Sequence, residues 1–98
     1  MAENGSNSST GQLQVFPNPA SSMLHIQYRS GEELPQTVQL DIYDLHGRRV
    51  RHLGSNEHSS AGNWVTSVQD WSPGLYLVVL RDSSGQILES QKLVVGIE

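Results

Sequence analysis

The sequence contains no cysteine, and only 16% of its 98 residues are charged. Without cysteine there is no disulfide framework and no Cys-based zinc pattern. Aromatic residues make up 6%, with a single Phe. Cations are scarce too: 6 Lys and Arg against 10 Asp and Glu leave a formal charge of −4, which argues against a binder of phosphate backbones. No apolar run approaches the ~18 residues of a spanning helix. The start Met1-Ala2-Glu3-Asn4-Gly5 lacks a basic region followed by an apolar one, so no secretory leader is read there. Helical periodicity is missing as well. The length suits about one small domain. A chain of this size buries roughly 60–70% of its unfolded surface, enough for one core but not for a deep cleft.

What remains is alternation with a period of two. Residues 1–12 are rich in Ser, Asn, Gly and Thr and read as a polar leader or linker, because they offer too little apolar surface to offset their ordering entropy. Alternation begins at Leu13 and Val15. It continues in Leu24, Ile26 and Tyr28, and again in Val38, Leu40 and Ile42, each set placing apolar groups on one face of a strand. Asp44-Leu45-His46-Gly47 reads as a hairpin turn, with Arg48 to Leu53 as the returning strand. Gly54 to Gly62 reads as a polar loop. Trp64, Thr66 and Val68 share a face, and Pro73-Gly74 suits a type II turn. Leu75 to Leu80 is an unbroken apolar run, expected to be covered on both faces. Asp82-Ser83-Ser84-Gly85 turns the chain into a last strand running to Val95. About seven short strands with turns every ~8–12 residues imply an all-β chain, a small immunoglobulin-like antiparallel sandwich over residues 13–98. A small Greek-key barrel is the alternative architecture.

Catalytic and metal chemistry finds little support. His25, His46, His52 and His58 show neither HExxH nor any compact spacing with carboxylates, so they read as solvated side chains and no metal is expected. Asp41, Asp44, Asp70 and Asp82 form no D-x-D-x-D-G calcium loop. Asp44 and Asp82 sit where turns use Asp for its own backbone hydrogen bonds. No Gly-x-Ser-x-Gly elbow is present, and no enzyme or cofactor is expected. Arg48, Arg49, Arg51 and His52 form the one basic cluster, with Arg49 and Arg51 expected on one face. It reads either as an anionic-partner site or as a charged edge strand that discourages aggregation. Trp64 and Trp71 follow inward phases and read as core.

Four ordered segments carry a family resemblance. They are Val15-Phe16-Pro17-Asn18-Pro19-Ala20 with the following Leu24-His25-Ile26, Leu40 to Val50, Pro73-Gly74-Leu75-Tyr76-Leu77-Val78, and Lys92-Leu93-Val94-Val95. In this order and spacing the chain resembles the C-terminal sorting domains of type IX secretion cargo in Bacteroidota, over roughly residues 13 to 95. The resemblance implies a secretion signal and not an activity. An N-terminal passenger would be carried to the outer membrane and recognised there by the translocon. A sortase-like cysteine protease would then cut the domain off, with the passenger released or attached to anionic lipopolysaccharide at the cell surface.

On that reading residues 1–12 hold the passenger junction and Met1 marks the boundary of an excised domain. Lys92, Leu93, Val94 and Val95 are the residues implied for translocon recognition. Gly47, Arg48, Gly74 and Tyr76 combine fold-defining and recognition roles, while Pro17, Asn18, Pro19 and Ala20 are structural. The terminal strand is expected at or near a sheet edge, less stable than Leu75 to Leu80, and open to strand-exchanged dimers. The competing reading is an adhesion or carbohydrate-binding module of a surface protein. No nucleic-acid partner is expected.

Overall fold

The computed structural model describes residues 11–30, 38–56 and 61–96. Seven strands follow one another: β1 (Gly11–Phe16), β2 (Met23–Ser30), β3 (Val38–Tyr43), β4 (Arg49–Asn56), β5 (Ala61–Ser67), β6 (Gly74–Asp82) and β7 (Ile87–Val95). They form two antiparallel sheets, one ordered β1-β2-β5 and the other β4-β3-β6-β7. This is an immunoglobulin-like sandwich in which the fourth strand pairs with β3, where the constant-type arrangement would pair it with β5. The period-two expectation therefore holds. Leu24, Ile26, Leu40, Ile42, Val78 and Leu80 are fully buried between the sheets, and Trp64, Thr66 and Val68 face the same core.

Four local expectations are corrected. The first strand begins at Gly11, inside the segment read as leader, because backbone pairing of Gly11 with Ser30 and Gln12 with Arg29 extends the ladder without apolar side chains. Strand β4 runs to Asn56 and β5 starts at Ala61, which shortens the polar loop. The ladder of β3 with β4 survives there because a register shift between Gln39 and Asp41 lets Gly54, at φ 80°, take up an extra residue. The turn before β6 lies at Val68–Trp71, where the Trp71 N–H donates to the Val68 carbonyl at 3.0 Å. Gly74 sits at φ 150°, far from the roughly +80° of a type II turn. Finally, β6 is covered on both faces only in part: Val78, Val79 and Leu80 are buried, while Leu75 and Leu77 on the outward face remain 37% and 40% exposed.

Residues 1–10, His58, Ile97 and Glu98 lie outside the described residues, with most of the expectations attached to them. Trp64 is buried as expected, and Trp71 is half-buried. Trp71 packs on the ring of Tyr76 with centroids 5.2 Å apart.

Candidate recognition surface

Sheet register brings the separated motifs to one end of the four-stranded sheet. Tyr43 pairs with Leu77, which pairs in turn with Lys92. Leu75 pairs with Val94, Gly74 with Val95, and Ala20 forms a parallel bridge to Val95. Segments spread over some eighty residues of sequence thus meet within a few strands' width. The opposite end of the sheet carries the Asp82–Gly85 turn.

Strand β7 is the edge strand, as expected, but its last residues are held. The Asn18 side chain donates to the Lys92 carbonyl at 3.1 Å, and its carbonyl oxygen accepts from the Val94 N–H at 2.9 Å. The Ala20 N–H donates to the Val94 carbonyl at 2.9 Å, and Gly96 returns a bond to the Ala20 carbonyl at 2.8 Å. One asparagine therefore imitates a strand, satisfying both backbone groups that an edge presents. Through Asn18 and Ala20 the segment Pro17–Ala20 caps the edge of the terminal motif. Leu93 and Val95 point into the core at 0% and 2% exposure, whereas Lys92 and Val94 face outward. Of the four residues implied for recognition, two present side chains to solvent and two hold the strand in place. Loss of a buried Leu side chain costs about 2–5 kcal/mol, so Leu93 is chiefly an anchor.

The β3–β4 turn is organised by Asp44. Its Oδ1 accepts the N–H groups of His46 and Arg48 at 2.8 and 3.0 Å, and the Arg48 Nε lies 3.1 Å from Oδ2. These bonds, led by the Arg48 N–H, hold the Asp44 carboxyl below its ordinary value of 3.8. Gly47 supplies φ 81°, the left-handed conformation the turn requires. Opposite the turn, the Tyr76 hydroxyl donates to the Ser72 carbonyl at 2.6 Å. This is a tyrosine corner, the immunoglobulin-fold device in which a ring near the start of the sixth strand ties down the preceding connection. Between turn and corner opens a cleft of about 620 Å³, bordered by Leu45, Arg48, Val50, Trp71, Pro73 and Leu75. Arg48, Gly74 and Tyr76 thus border one cleft, and Gly47 shapes the turn at its side.

A second cluster escaped the sequence reading. Asp41 is 3% exposed on the outward side of β3. Its Oδ1 lies 2.6 Å from His52 Nδ1 and 3.5 Å from Arg49, and its Oδ2 lies 3.5 Å from Arg81. Arg81 also donates to the Tyr43 hydroxyl at 2.8 Å. The basic cluster is split by a register shift between Ile42 and Tyr43. Arg49 reaches Asp41 on the outer face, while Arg51 lies over the Trp71 ring at 5.7 Å, so the two do not share a face. An outward Asp with His52 opposite it on β4 was the available signal, but the pairing needed the bulge to be known. Among the described residues no group of three His, Cys, Asp or Glu is arranged to hold a metal. His25 stacks flat on Phe16 with centroids 5.5 Å apart.

Residues 14–96 match the family model described as the secretion system C-terminal sorting domain. The chain belongs to this family. No curated protein matches the chain. Among solved structures it is similar to a Bifidobacterium adolescentis GH3 beta-glucosidase, at 15% identity and a TM-score of 0.49, over 88% of this chain and 17% of that one. The family is one of sorting signals for type IX secretion and not of enzymes, so the domain interacts with that machinery and directs export through the outer membrane to the cell surface.

Proposed function

We propose that the sorting domain is read by the type IX translocon through the end of the four-stranded sheet where its motifs converge. Arg48, Lys92 and Val94 make the side-chain contacts, Gly47, Gly74 and Tyr76 hold the frame, and Leu93 and Val95 anchor the terminal strand. The observation that carries this is the convergence itself: strand pairing and the Asn18 cap bring the four motif segments to one end, and there Leu45, Arg48, Lys92 and Val94 present side chains to solvent. Recognition proceeds at an edge strand: release of the Asn18 and Ala20 cap opens its backbone groups, main-chain pairing then gives affinity and alternate side chains give specificity. Strand β7 is locally less stable than β6, and an opened edge also permits strand-exchanged dimers. After export a sortase-like cysteine protease cuts the junction before the first strand. The passenger is then attached to lipopolysaccharide or released, and the domain leaves.

The test is a fluorescent passenger placed behind a signal peptide and ahead of residues 1–98 in a type IX-competent host. Surface display is expected for the intact domain and not for one ending at Gln91. Because that truncation also removes two core side chains, Arg48→Ala is the decisive partner: Arg48 is 77% exposed, so its loss leaves the fold intact. Display equal to wild type in both variants, or absent in all, would sink the reading.

A further inference from the structure

The outer faces of the two sheets are unlike. On the three-stranded sheet most exposed outward positions are polar, among them Gln14, Gln27 and Asn63, while Phe16, Met23 and Val65 are exposed there without a Lys or Arg as register partner. On the four-stranded sheet a groove of about 450 Å³ is lined by Tyr43, Leu75, Leu77, Val79, Ile87 and Lys92. Register sets Leu77 between Tyr43 on one side and Lys92 on the other, with Leu75 and Val94 paired beside them. The inward side chains already complete the core, so nothing in the sandwich itself needs this outward apolar row.

Charge distinguishes the face further. The chain carries a formal charge of −4, yet Arg49, Arg81 and Lys92 project from this face. Asp41 is buried beneath the two arginines. Lys92 has no carboxylate partner among the described residues. An apolar row ending in a free cation suits a ligand that is apolar and acidic at once. A second copy of the chain is a poor occupant, since face-to-face packing would set cations against cations. An edge lysine can also serve only to discourage sheet aggregation, but that duty needs no apolar row beside it.

We infer that the outer face of the four-stranded sheet is a docking surface for an acidic protein segment of the export machinery, which seats an apolar side chain against Tyr43 and Leu77 and a carboxylate on Lys92. The inference rests on the sorting reading and extends its contact area from the β3–β4 turn, which borders the groove at Leu45 and Gly47, across the sheet to Leu77, and it adds the chemistry of the partner. It is tested in the same display assay. Leu77→Glu and Lys92→Glu should each lower surface fluorescence about tenfold or more, the scale of one lost charge contact in a binding equilibrium. Lys92→Arg should retain display, as should Val65→Glu, which alters an outward position of the other sheet that is 54% exposed. Melting of the purified domains separates recognition from folding, with Leu77→Gln replacing Leu77→Glu if the latter unfolds.

Lys92→Glu is the sharpest arm, because a glutamate guards an edge as well as a lysine does but reverses the docking charge. Wild-type display by Lys92→Glu, or equal losses from Val65→Glu and Leu77→Glu, overturns the inference and removes Lys92 from the proposed contacts, while sorting through the Arg48 turn stands. Failure of the unmodified domain to display its passenger overturns both.

Discussion

In the β3–β4 turn Asp44 accepts two backbone N–H groups through one carboxylate oxygen, and in the β6–β7 turn Asp82 does the same for Ser84 and Gln86 at 2.9 and 3.0 Å. Gly47 and Gly85 donate to the carbonyls of Asp44 and Asp82 at 3.1 and 3.0 Å, and both take positive φ, 81° and 93°. The two turns stand at opposite ends of one sheet and share the pattern D-x-x-G-x. Between Asp and Gly, however, one carries Leu45 and His46 and the other two serines, and after Gly one carries Arg48 and the other Gln86. The backbone geometry shared by the two turns rests on Asp and Gly, and the Asp82 turn adds a Ser84 hydroxyl that donates to the same carboxylate at 2.7 Å. A Leu side chain 71% exposed at the tip of the other turn, and an Arg beside it, are therefore surplus to folding. The comparison teaches where to look for recognition: at positions that the same structure, elsewhere in the same molecule, fills with small polar residues.

The largest effect should come from making the two turns alike. Replacing Leu45 and His46 by serine and Arg48 by glutamine, on the pattern of the Asp82 turn, should lower passenger display about tenfold or more while melting stays within a few degrees. Placing Leu-His and Arg into the Asp82 turn should leave display unchanged. If both exchanges were silent in display, the contrast between the turns would carry no functional meaning. Next in size is the glycine pair. An added Cβ meets nothing within 4 Å at Gly47 or Gly85, so alanine there costs only the left-handed conformation, about 1–2 kcal/mol. Chemical denaturation should report the same loss for both, and a markedly larger one at either would show that the turns are not equivalent.

Much of this was legible because it is local. Alternation with period two placed four of the seven strands, an unbroken apolar run placed a fifth, and D-x-x-G named both hairpin turns, and with them the remaining two strands, from four residues each. What escaped depends on distant chain or on register. Nothing within reach of Asn18 in sequence announces that its amide will bridge Lys92 and Val94, more than seventy residues away. Arg49 and Arg51 read as one face until a bulge separates them, and the same bulged pairing sets His52 on Asp41. Six apolar residues in a row at Leu75–Leu80 look like a strand covered twice. A two-layer sandwich packs only one side; on the other, Val79 is buried by its neighbours' side chains, and Leu75 and Leu77 are left exposed.

A smaller effect is expected in acid. Asp44 is held below its ordinary value chiefly by the Arg48 N–H, and Asp82 chiefly by the Ser84 hydroxyl. A carboxyl whose folded pKa is depressed stabilises the fold above its unfolded value, and that contribution disappears as pH falls through the folded one. Stability should therefore decline below about pH 4, near the unperturbed Asp value. Asp44→Asn and Asp82→Asn should each flatten the decline to a similar degree. Denaturation midpoints at pH 7 and pH 3 for the three proteins check this, and flattening by one variant alone would break the equivalence of the turns.

The smallest expected change concerns the ion pair that only one turn possesses. Arg48 Nε sits 3.1 Å from Asp44 Oδ2, but the guanidinium is 77% exposed. Exposed pairs gain little because water and salt screen the attraction while a long side chain loses rotamer freedom. The hydrogen bonds that build the turn come from the Arg48 backbone, and any residue at that position provides them. Arg48→Gln should thus leave the melting temperature unchanged within error, at low and at high salt alike. Stability as low as that of Gly47→Ala would mean that Arg48 belongs to the turn after all, and the reason for assigning it to recognition would be gone. An arginine that contributes nothing measurable to the fold is free to be used by something outside it.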